Sequence, residues 1–254
     1  MVENIPLFRP QRWQHKNVLC FTTTAVGGVS KAQYSSLNLG AHVGDNMAAV
    51  EHNRSLLANY LSQEAAAHAT SQVDPIHWLN QQHTTNFCDY SNAHVSPCDA
   101  ICTQNELTPL AIMTADCLPI VLFCSSTKRM AAIHAGWRGL LDGIIQKTLT
   151  SFEQTTTISA WIGPSISAAK FEIGEELLPR FIHYPNDVKA SSNHKYTVDL
   201  TAIASQLLAE QGIDDCEISN ICTYQNEQLF SHRRATHQGL HATGRMATVV
   251  MRLY

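Results

Sequence analysis

Short runs of apolar residues recur along the chain and predict strands that are buried on both faces. Three such runs occupy positions 110–113, 118–123 and 130–134, each bounded by polar or turn-forming residues. Another strand is predicted at 18–24, where apolar and threonine residues lead into the turn pair Gly27-Gly28. Weaker strand patterns occupy 76–82, 158–162, 217–223 and 246–253.

Segments with helical periodicity lie between these strands. The clearest pattern starts near Trp137, where apolar residues at 137, 140, 141, 144, 145 and 149 form one stripe and predict a helix covering a sheet. A second helix is predicted over 47–61, with Asp45-Asn46 as its N-cap, and two more over 174–183 and 198–210. Strands and helices alternate without strict period, which predicts an α/β or α+β class with a mixed sheet. We expect one domain over residues 1–254.

Charge is sparse and unevenly distributed. The 254 residues carry a formal net charge of −4, and 15% of them are charged, against roughly 25% in an average domain. No Lys or Arg lies between Arg54 and Lys128, a stretch that holds six acids. A continuous phosphate-binding track cannot be built from that stretch, so nucleic acid and anionic membranes are not predicted partners.

The N-terminus lacks the basic start and apolar core of a secretory signal. The longest apolar run, 118–124, is far shorter than the ~18–20 residues that span a bilayer. These features predict a soluble, cytoplasmic protein. In that reducing compartment the eight cysteines are expected to be buried thiols, metal ligands or nucleophiles rather than disulfides.

Three residues stand out as candidates for a functional site. His83 closes the stretch 78–83, Cys117 lies between two apolar strands, and His134 ends a strand of small residues just before the strongest helix. Side chains at strand ends beside glycines are well placed for a site on an open sheet. Two imidazoles and a thiolate suit Zn²⁺ and leave its fourth position open. Spacings of 34 and 17 residues match no compact metal motif, so the spacing alone leaves open whether the three residues share one metal ion.

Other clusters compete with that set. Cys98 and Cys102 resemble half of a metal site but lack a second pair. His237 and His241 fall where Gly239 and Gly244 predict a loop, and 232–234 with Arg245 are either cations for a phosphate or a solvated basic turn. The sequence contains no G-x-G-x-x-G, P-loop, G-x-S-x-G or H-E-x-x-H motif, which argues against the corresponding nucleotide-binding and hydrolase classes.

The motifs together resemble the YfiH-type family, also called the multicopper polyphenol oxidase or laccase-domain family and described as zinc-containing purine nucleoside phosphorylases. Two segments are especially specific, Thr114-Ala-Asp-Cys-Leu-Pro119 and His134-Ala-Gly-Trp-Arg-Gly139. Further matches follow in the family's order at 36–40, 42–46, 53–54, 82–83, 163–164, 171–174, 222–224, 230–234 and 244–247. One departure is Gln81-Gln82-His83-Thr84, where the family usually has Gln-Val-His-Gly.

The resemblance implies a fold of mixed sheets layered with helices in an α/β/β/α arrangement. It implies zinc held by His83, Cys117 and His134, with copper possible in vitro. It also implies phosphorolysis of adenosine, inosine, guanosine and S-methyl-5′-thioadenosine, and deamination of adenosine. Purine nucleosides and phosphate are then the expected partners; protein partners are not predicted.

Further residues are candidates for that chemistry. Arg54, Arg138 or Arg233 would orient phosphate through paired N–H donors, and Asn38 would shape the nucleoside pocket. Asp116 is a candidate catalytic residue that orients a ligand or shuttles a proton. Structural roles compete in each case, since Asp116 can cap a turn and Arg138 can pair with an acid on its own helix.

Three other functions stay open at this stage. A copper phenol oxidase is one, although the sequence has none of the His-x-His pairs that multicopper sites normally use. An amidase that edits peptidoglycan precursors is another, with Cys117 as nucleophile and His134 as base. The third is a non-catalytic binding module.

Overall fold

The computed structural model describes residues 5–13, 15–68, 72–92, 97–153 and 157–254. Most strands match apolar runs in the sequence, and the long ones are buried along their whole length. The strands are β1 Leu7–Phe8, β2 Val18–Thr23, β3 Phe87–Asp89, β4 Ala100–Thr103, β5 Leu110–Thr114, β6 Leu118–Cys124, β7 Met130–Ala135, β8 Ile158–Ile162, β9 Glu172–Gly174, β10 Val188–Ala190, β11 Lys195–Val198, β12 Cys216–Ile218 and β13 Met246–Arg252.

Within these residues five α-helices join the strands: α1 Met47–Ala66, α2 Trp137–Leu141, α3 Ile144–Leu149, α4 Leu200–Glu210 and α5 His232–His237. Short 3₁₀ helices occupy Ala32–Tyr34, Tyr90–Asn92, Ala168–Lys170, Glu175–Phe181 and Pro185–Asp187. The side chain of Asn46 accepts a hydrogen bond from the Ala49 amide, which confirms Asn46 as the N-cap of α1. Within the described ranges, no helix is long and apolar enough to cross a bilayer.

The strands form three sheets. A four-stranded sheet has the order β1-β2-β13-β5, and a six-stranded sheet has the order β12-β8-β6-β7-β4-β3. A small antiparallel sheet, β10-β11-β9, lies beside them. The six-stranded sheet is mixed, because β12–β8 and β3–β4 are parallel pairs while the central pairs are antiparallel.

Successive side chains of a strand point to opposite faces of its sheet and so pack in different layers of the core. In β6, Ile120 and Leu122 pack in the cluster that includes α3 and α4, whereas Val121 and Phe123 pack between the two large sheets. In β13, Val249 faces the cluster that includes α1. This period of two is what a strand buried on both faces requires. The layers are therefore α1, the four-stranded sheet, the six-stranded sheet and helices α2–α4, which confirms the α/β/β/α expectation.

Gly143 divides the helix that the apolar stripe predicts near Trp137. It has φ of +95° and separates α2 from α3. This left-handed conformation suits glycine and interrupts a right-handed helix. The stripe itself is correct, since Leu140, Ile144 and Ile145 are buried against the six-stranded sheet.

Several predicted elements differ from the structure. The segment 76–82 is irregular, because the Gln81 side chain pairs with the main chain of Met113. Within 174–183 the chain forms a 3₁₀ helix containing Pro179, which removes a main-chain donor. The strand predicted at 217–223 is limited to β12. The predicted loop around His237 and His241 is wrong in part, since His237 ends α5, capped at its start by Ser231.

Candidate metal centre and surrounding cavity

Two neighbouring strands, β6 and β7, and the irregular segment before β3 bring the candidate ligands together at one end of the six-stranded sheet. His134 lies on β7 opposite Pro119 of β6, so Cys117, just before β6, lies near the end of β7. His83 approaches from the irregular segment before β3. One ligand atom from each of His83, Cys117 and His134 lies within 4.8 Å of the others. Register between the strands thus joins residues that are far apart in the sequence.

Asp99, the residue just before β4, fixes the orientation of the His134 side chain and holds the main chain around His83. Its fully buried carboxylate accepts a hydrogen bond from Nδ1 of His134 at 2.7 Å. The same carboxylate accepts from the main-chain amides of residues 82–84 and from the Thr84 hydroxyl. Burial acts to raise the pKa of Asp99, but His134 and Thr84 lower it overall. An ionised Asp99 therefore holds the proton of His134 on Nδ1 and leaves Nε2 free to bind a metal.

The His83 loop is held in an unusual backbone conformation. His83 has φ of +58°, which is uncommon for a residue with a side chain. The Gln81 amide group anchors the loop by bonding both the N–H and the C=O of Met113 at 2.8 Å. These contacts compensate for the local strain and present the imidazole of His83 toward Cys117.

Glycines at the start of α2 allow this loop to approach the helix closely. A Cβ on Gly136 would lie 2.4 Å from Cδ2 of His83 and 3.3 Å from Sγ of Cys117. A Cβ on Gly139 would lie 2.9 Å from the main-chain oxygen of Thr84. Both glycines of the His134–Gly139 motif therefore leave room for the candidate ligands and the His83 loop.

The donor set and its spacing fit a tetrahedral divalent ion. Bond lengths typical of Zn²⁺ place a sulfur and a nitrogen ligand about 3.6 Å apart, and Sγ of Cys117 lies 3.7 Å from Nε2 of His83. The largest separation, 4.8 Å, has to shorten by about 1–1.5 Å on binding, within the reach of side-chain rotation. Two nitrogens and one sulfur leave a fourth position for water or substrate.

Without a metal, Cys117 and His134 form a coupled thiolate–imidazolium pair. Burial acts to raise the pKa of the Cys117 thiol, but the charge of His134 and hydrogen bonds from His134 and His83 lower it to about 6. Burial acts to lower the pKa of His134, but the charge of Cys117 and the hydrogen bond to Asp99 raise it to about 9. A stable thiolate is the form of cysteine that binds metals and attacks electrophiles.

The cluster opens into a cavity of about 390 Å³, within the range of roughly 300–1,000 Å³ found for small-molecule sites. Arg138, Arg233 and Arg245 lie in its wall. That Arg138 and Arg233 bind substrate stays a prediction. The Arg138 guanidinium stacks on the Trp137 ring, and that of Arg233 lies over Phe171. The remaining wall residues are Met113, Thr114, Ala115, Asp116, Ile166 and His232.

Asp116 lies in this wall, but its carboxylate is engaged elsewhere. One oxygen accepts from the Thr223 hydroxyl at 2.6 Å, and the other accepts from the main-chain amide of Arg233 at 2.7 Å. Asp116 thereby fastens the start of α5 to the cavity. Its predicted role in orienting a ligand or shuttling a proton stays a prediction.

Two predicted substrate residues lie outside the cavity wall. Asn38 is fully buried, and its amide group bonds Gly40, Asp45 and the main-chain N–H of Arg245. Arg54 donates from Nε to the Leu39 carbonyl, and its guanidinium stacks on Trp78. Neither Asn38 nor Arg54 is therefore among the residues that line the cavity, and their predicted part in substrate binding stays a prediction.

Sequence reasoning missed Asp99 and gave Arg245 only a minor place. No motif marks Asp99, and the single available signal was an acid directly before a buried strand at 100–103. Arg245 is next to Gly244 in a matching motif, but its place in the cavity depends on contacts with 38–40, distant in sequence. Both residues act through long-range contacts that local pattern does not show.

Comparison with known proteins bears on this site. Residues 19–253 match the family model described as "Multi-copper polyphenol oxidoreductase laccase". The purine nucleoside phosphorylase of Haemophilus influenzae is 38% identical over 245 residues, which cover 92% of this chain and 94% of that protein. The purine nucleoside phosphorylase YfiH of Escherichia coli is 39% identical over 254 residues, covering 96% and 98%.

Solved structures are similar over nearly the whole chain. Neisseria meningitidis protein NMB0706 has a TM-score of 0.83 at 32% identity, covering 98% of this chain and 99% of that one. The hypothetical protein YfiH of Bacillus licheniformis has a TM-score of 0.84 at 23% identity, covering 99% and 98%. The second similarity supports the fold alone.

Proposed function

The chain belongs to the family of multi-copper polyphenol oxidoreductase laccases that includes the YfiH proteins, and we propose that it is a zinc-dependent purine nucleoside phosphorylase. The observation that carries this proposal is a His-Cys-His cluster that shares one cavity with several arginines. Relatives with 38–39% identity bear the phosphorylase name. We propose adenosine, inosine, guanosine and S-methyl-5′-thioadenosine as substrates.

In this reaction a phosphate oxygen forms a bond to C1′ of the ribose while the bond from C1′ to N9 of the purine breaks. The bonding electrons leave with the purine, which takes up a proton on a ring nitrogen. The guanidinium groups in the cavity wall bind and orient the phosphate dianion. Trp137 and Phe171 also line the cavity and supply apolar surface against which the purine can pack. Holding both reactants in one cavity supplies much of the rate acceleration.

His83, Cys117 and His134 are the residues proposed to hold zinc, with Asp99 fixing the tautomer of His134. Bound zinc supplies a Lewis acid and lowers the pKa of water toward ~7. On that ground we propose deamination of adenosine as a second activity of the same site. Water replaces the amino group at C6 and ammonia leaves, giving inosine.

The test is a product assay on zinc-loaded protein. Inosine with phosphate should yield hypoxanthine and ribose 1-phosphate, and adenosine without phosphate should yield inosine and ammonia. Cys117→Ala serves as the control, because it removes one proposed ligand. Product formation that is absent in the wild type, or equal in the variant, would refute the proposal.

An amidase is the second candidate, favoured by the low pKa of the Cys117 thiol beside His134. There the thiolate attacks an amide carbonyl, the C–N bond breaks as His134 gives a proton to the departing amine, and water then hydrolyses the thioester and releases Cys117. An acylating thiol reagent distinguishes the two. Under the phosphorylase proposal, zinc protects Cys117 from labelling; under the amidase proposal, labelling is insensitive to zinc.

The family description also names a copper oxidase. Multicopper oxidation needs several metal sites, whereas His83, Cys117 and His134 form the only group of three such ligands found across the ranges that the structure describes. Metal analysis of protein purified without added copper distinguishes a zinc phosphorylase from a copper oxidase. About one zinc per chain agrees with the proposed function, and several coppers per chain contradict it.

A further inference from the structure

Arg245 is held by more hydrogen bonds than Arg233, the other half-buried arginine of the cavity wall. Its main-chain N–H donates to Oδ1 of Asn38 at 2.9 Å. Its Nη1 donates to the carbonyls of Thr243 and Gly244, at 2.9 and 3.1 Å. The stem packs on Gly40, where an added Cβ would lie 2.8 Å from Cγ of Arg245. These contacts fix both the backbone and one edge of the guanidinium before any ligand arrives.

The charge of this guanidinium has no carboxylate partner. Across the described parts of the chain, no Asp or Glu oxygen lies within ion-pair distance of Arg245. Asp116 shares the cavity, but its two oxygens accept from Thr223 and from the Arg233 amide. Burial lowers the pKa of Arg245 even though Cys117 and Asp116 act in the opposite direction. A half-buried cation without a paired anion is costly unless a ligand supplies the charge.

The free edge of Arg245 has donors to spare. Among the described residues, no acceptor bonds its Nε or Nη2, since the hydrogen bonds of the side chain start from Nη1. A guanidinium with one edge fixed and other N–H groups free is suited to a planar or tetrahedral oxyanion. Arg233, by comparison, is held at its guanidinium by a single longer hydrogen bond, from Nη1 to the Lys170 carbonyl at 3.3 Å.

We propose that Arg245 is the principal anion-binding residue of the cavity and that Asn38 is a positioning residue that holds it there. This inference rests on the proposed function, under which the anion is the phosphate co-substrate. Asn38 then affects phosphate binding through Arg245, without touching the nucleoside. Asn38 is suited to this role because it is fully buried and its Oδ1 accepts from the main-chain N–H of Arg245.

The experiment compares Arg245→Gln and Arg245→Lys with Arg252→Gln. Arg252 is a matched control, because it lies at the other end of β13, is also half-buried, and pairs with Glu106 outside the cavity. Loss of charge-assisted hydrogen bonds predicts a roughly 10- to 100-fold higher KM for phosphate in Arg245→Gln. KM for inosine should stay near the wild-type value. Arg245→Lys should fall between the two, since it keeps the charge but not the fork.

Calorimetric titration with inorganic phosphate separates this proposal from the proposed function. Weaker phosphate binding in Arg245→Gln, with wild-type binding in Arg252→Gln, supports the anion site even if no phosphorolysis is detected. Equal binding in wild type and Arg245→Gln overturns it, and so does a wild type that binds no phosphate. Circular dichroism of each variant checks that the fold is retained.

For Asn38, the variant Asn38→Ala should raise KM for phosphate in wild-type protein but not in an Arg245→Gln background. An equal effect in both would contradict the positioning role.

Discussion

Asp99→Asn is the substitution that most sharply tests how the site is built. The amide has the same shape as the carboxylate but only one acceptor oxygen. Oδ1 of Asp99 accepts from the His83 amide and from Nδ1 of His134. Oδ2 accepts from the amides of Gln82 and Thr84 and from the Thr84 hydroxyl. Either orientation of the new amide therefore places its NH₂ group against two N–H donors.

The size of the effect follows from these contacts. Hydrogen bonds to a charged group contribute about 1.5–3 kcal/mol each, so two lost bonds cost about 3–6 kcal/mol of unfolding free energy. If His134 responds by moving its proton to Nε2, it loses the lone pair that would bind metal. Changing a residue that orients a metal ligand typically lowers metal affinity by about 10- to 100-fold.

Two measurements check this prediction. Urea unfolding of metal-free protein gives the loss of stability, and competition with a chromogenic chelator gives the zinc affinity. Asp142→Asn is the control, because Asp142 forms an exposed ion pair with Arg180 and such pairs contribute only about 0–1 kcal/mol. An Asp99→Asn variant that keeps wild-type stability and zinc affinity would refute the proposed role of Asp99.

Three further predictions concern the same site. Gly136→Ala should weaken zinc binding strongly, because the new Cβ would lie 2.4 Å from Cδ2 of His83; unchanged affinity in a chelator competition would contradict this. In metal-free protein, alkylation of Cys117 should rise with a midpoint near pH 6, since the thiol pKa is about 6, and His134→Ala should move that midpoint upward; a midpoint near that of an ordinary thiol in the wild type would be the contrary result. Removing zinc with a chelator should lower the melting temperature, as the folded state loses a ligand that the unfolded chain binds poorly; equal melting temperatures for zinc-loaded wild type and Cys117→Ala would count against the site.

The layers of the fold were accessible from sequence because burial leaves a periodic pattern. Val121 and Ile120 are adjacent in β6 yet pack in different clusters, and an unbroken apolar run signals such two-sided burial. The break between α2 and α3 was not predicted, because the apolar stripe continues through Gly143 and only the backbone geometry shows the interruption. Segment 76–82 resembles a strand by composition, but Gln81 ties it to Met113 through its side chain.

Some residues of the site could also be predicted from the sequence, and others could not. His83, Cys117 and His134 were identified by their residue types and motifs. Strand register brings Cys117 and His134 together, and the Gln81 contacts hold the loop that carries His83. Sequence could not show that Asn38 uses its amide on Gly40, Asp45 and Arg245, or that Arg54 stacks on Trp78. Whether a polar side chain faces a ligand or the protein depends on partners that are distant along the chain, and Asp99 was missed for that reason.

Anomalous diffraction at the zinc absorption edge, from crystals of protein purified without added metal, tests the central claim most directly. We expect one peak at about 2.0–2.1 Å from a ring nitrogen of each of His83 and His134 and about 2.3 Å from Sγ of Cys117. Crystals with no peak there, with the Cys117 sulfur turned away from both imidazoles, would contradict it.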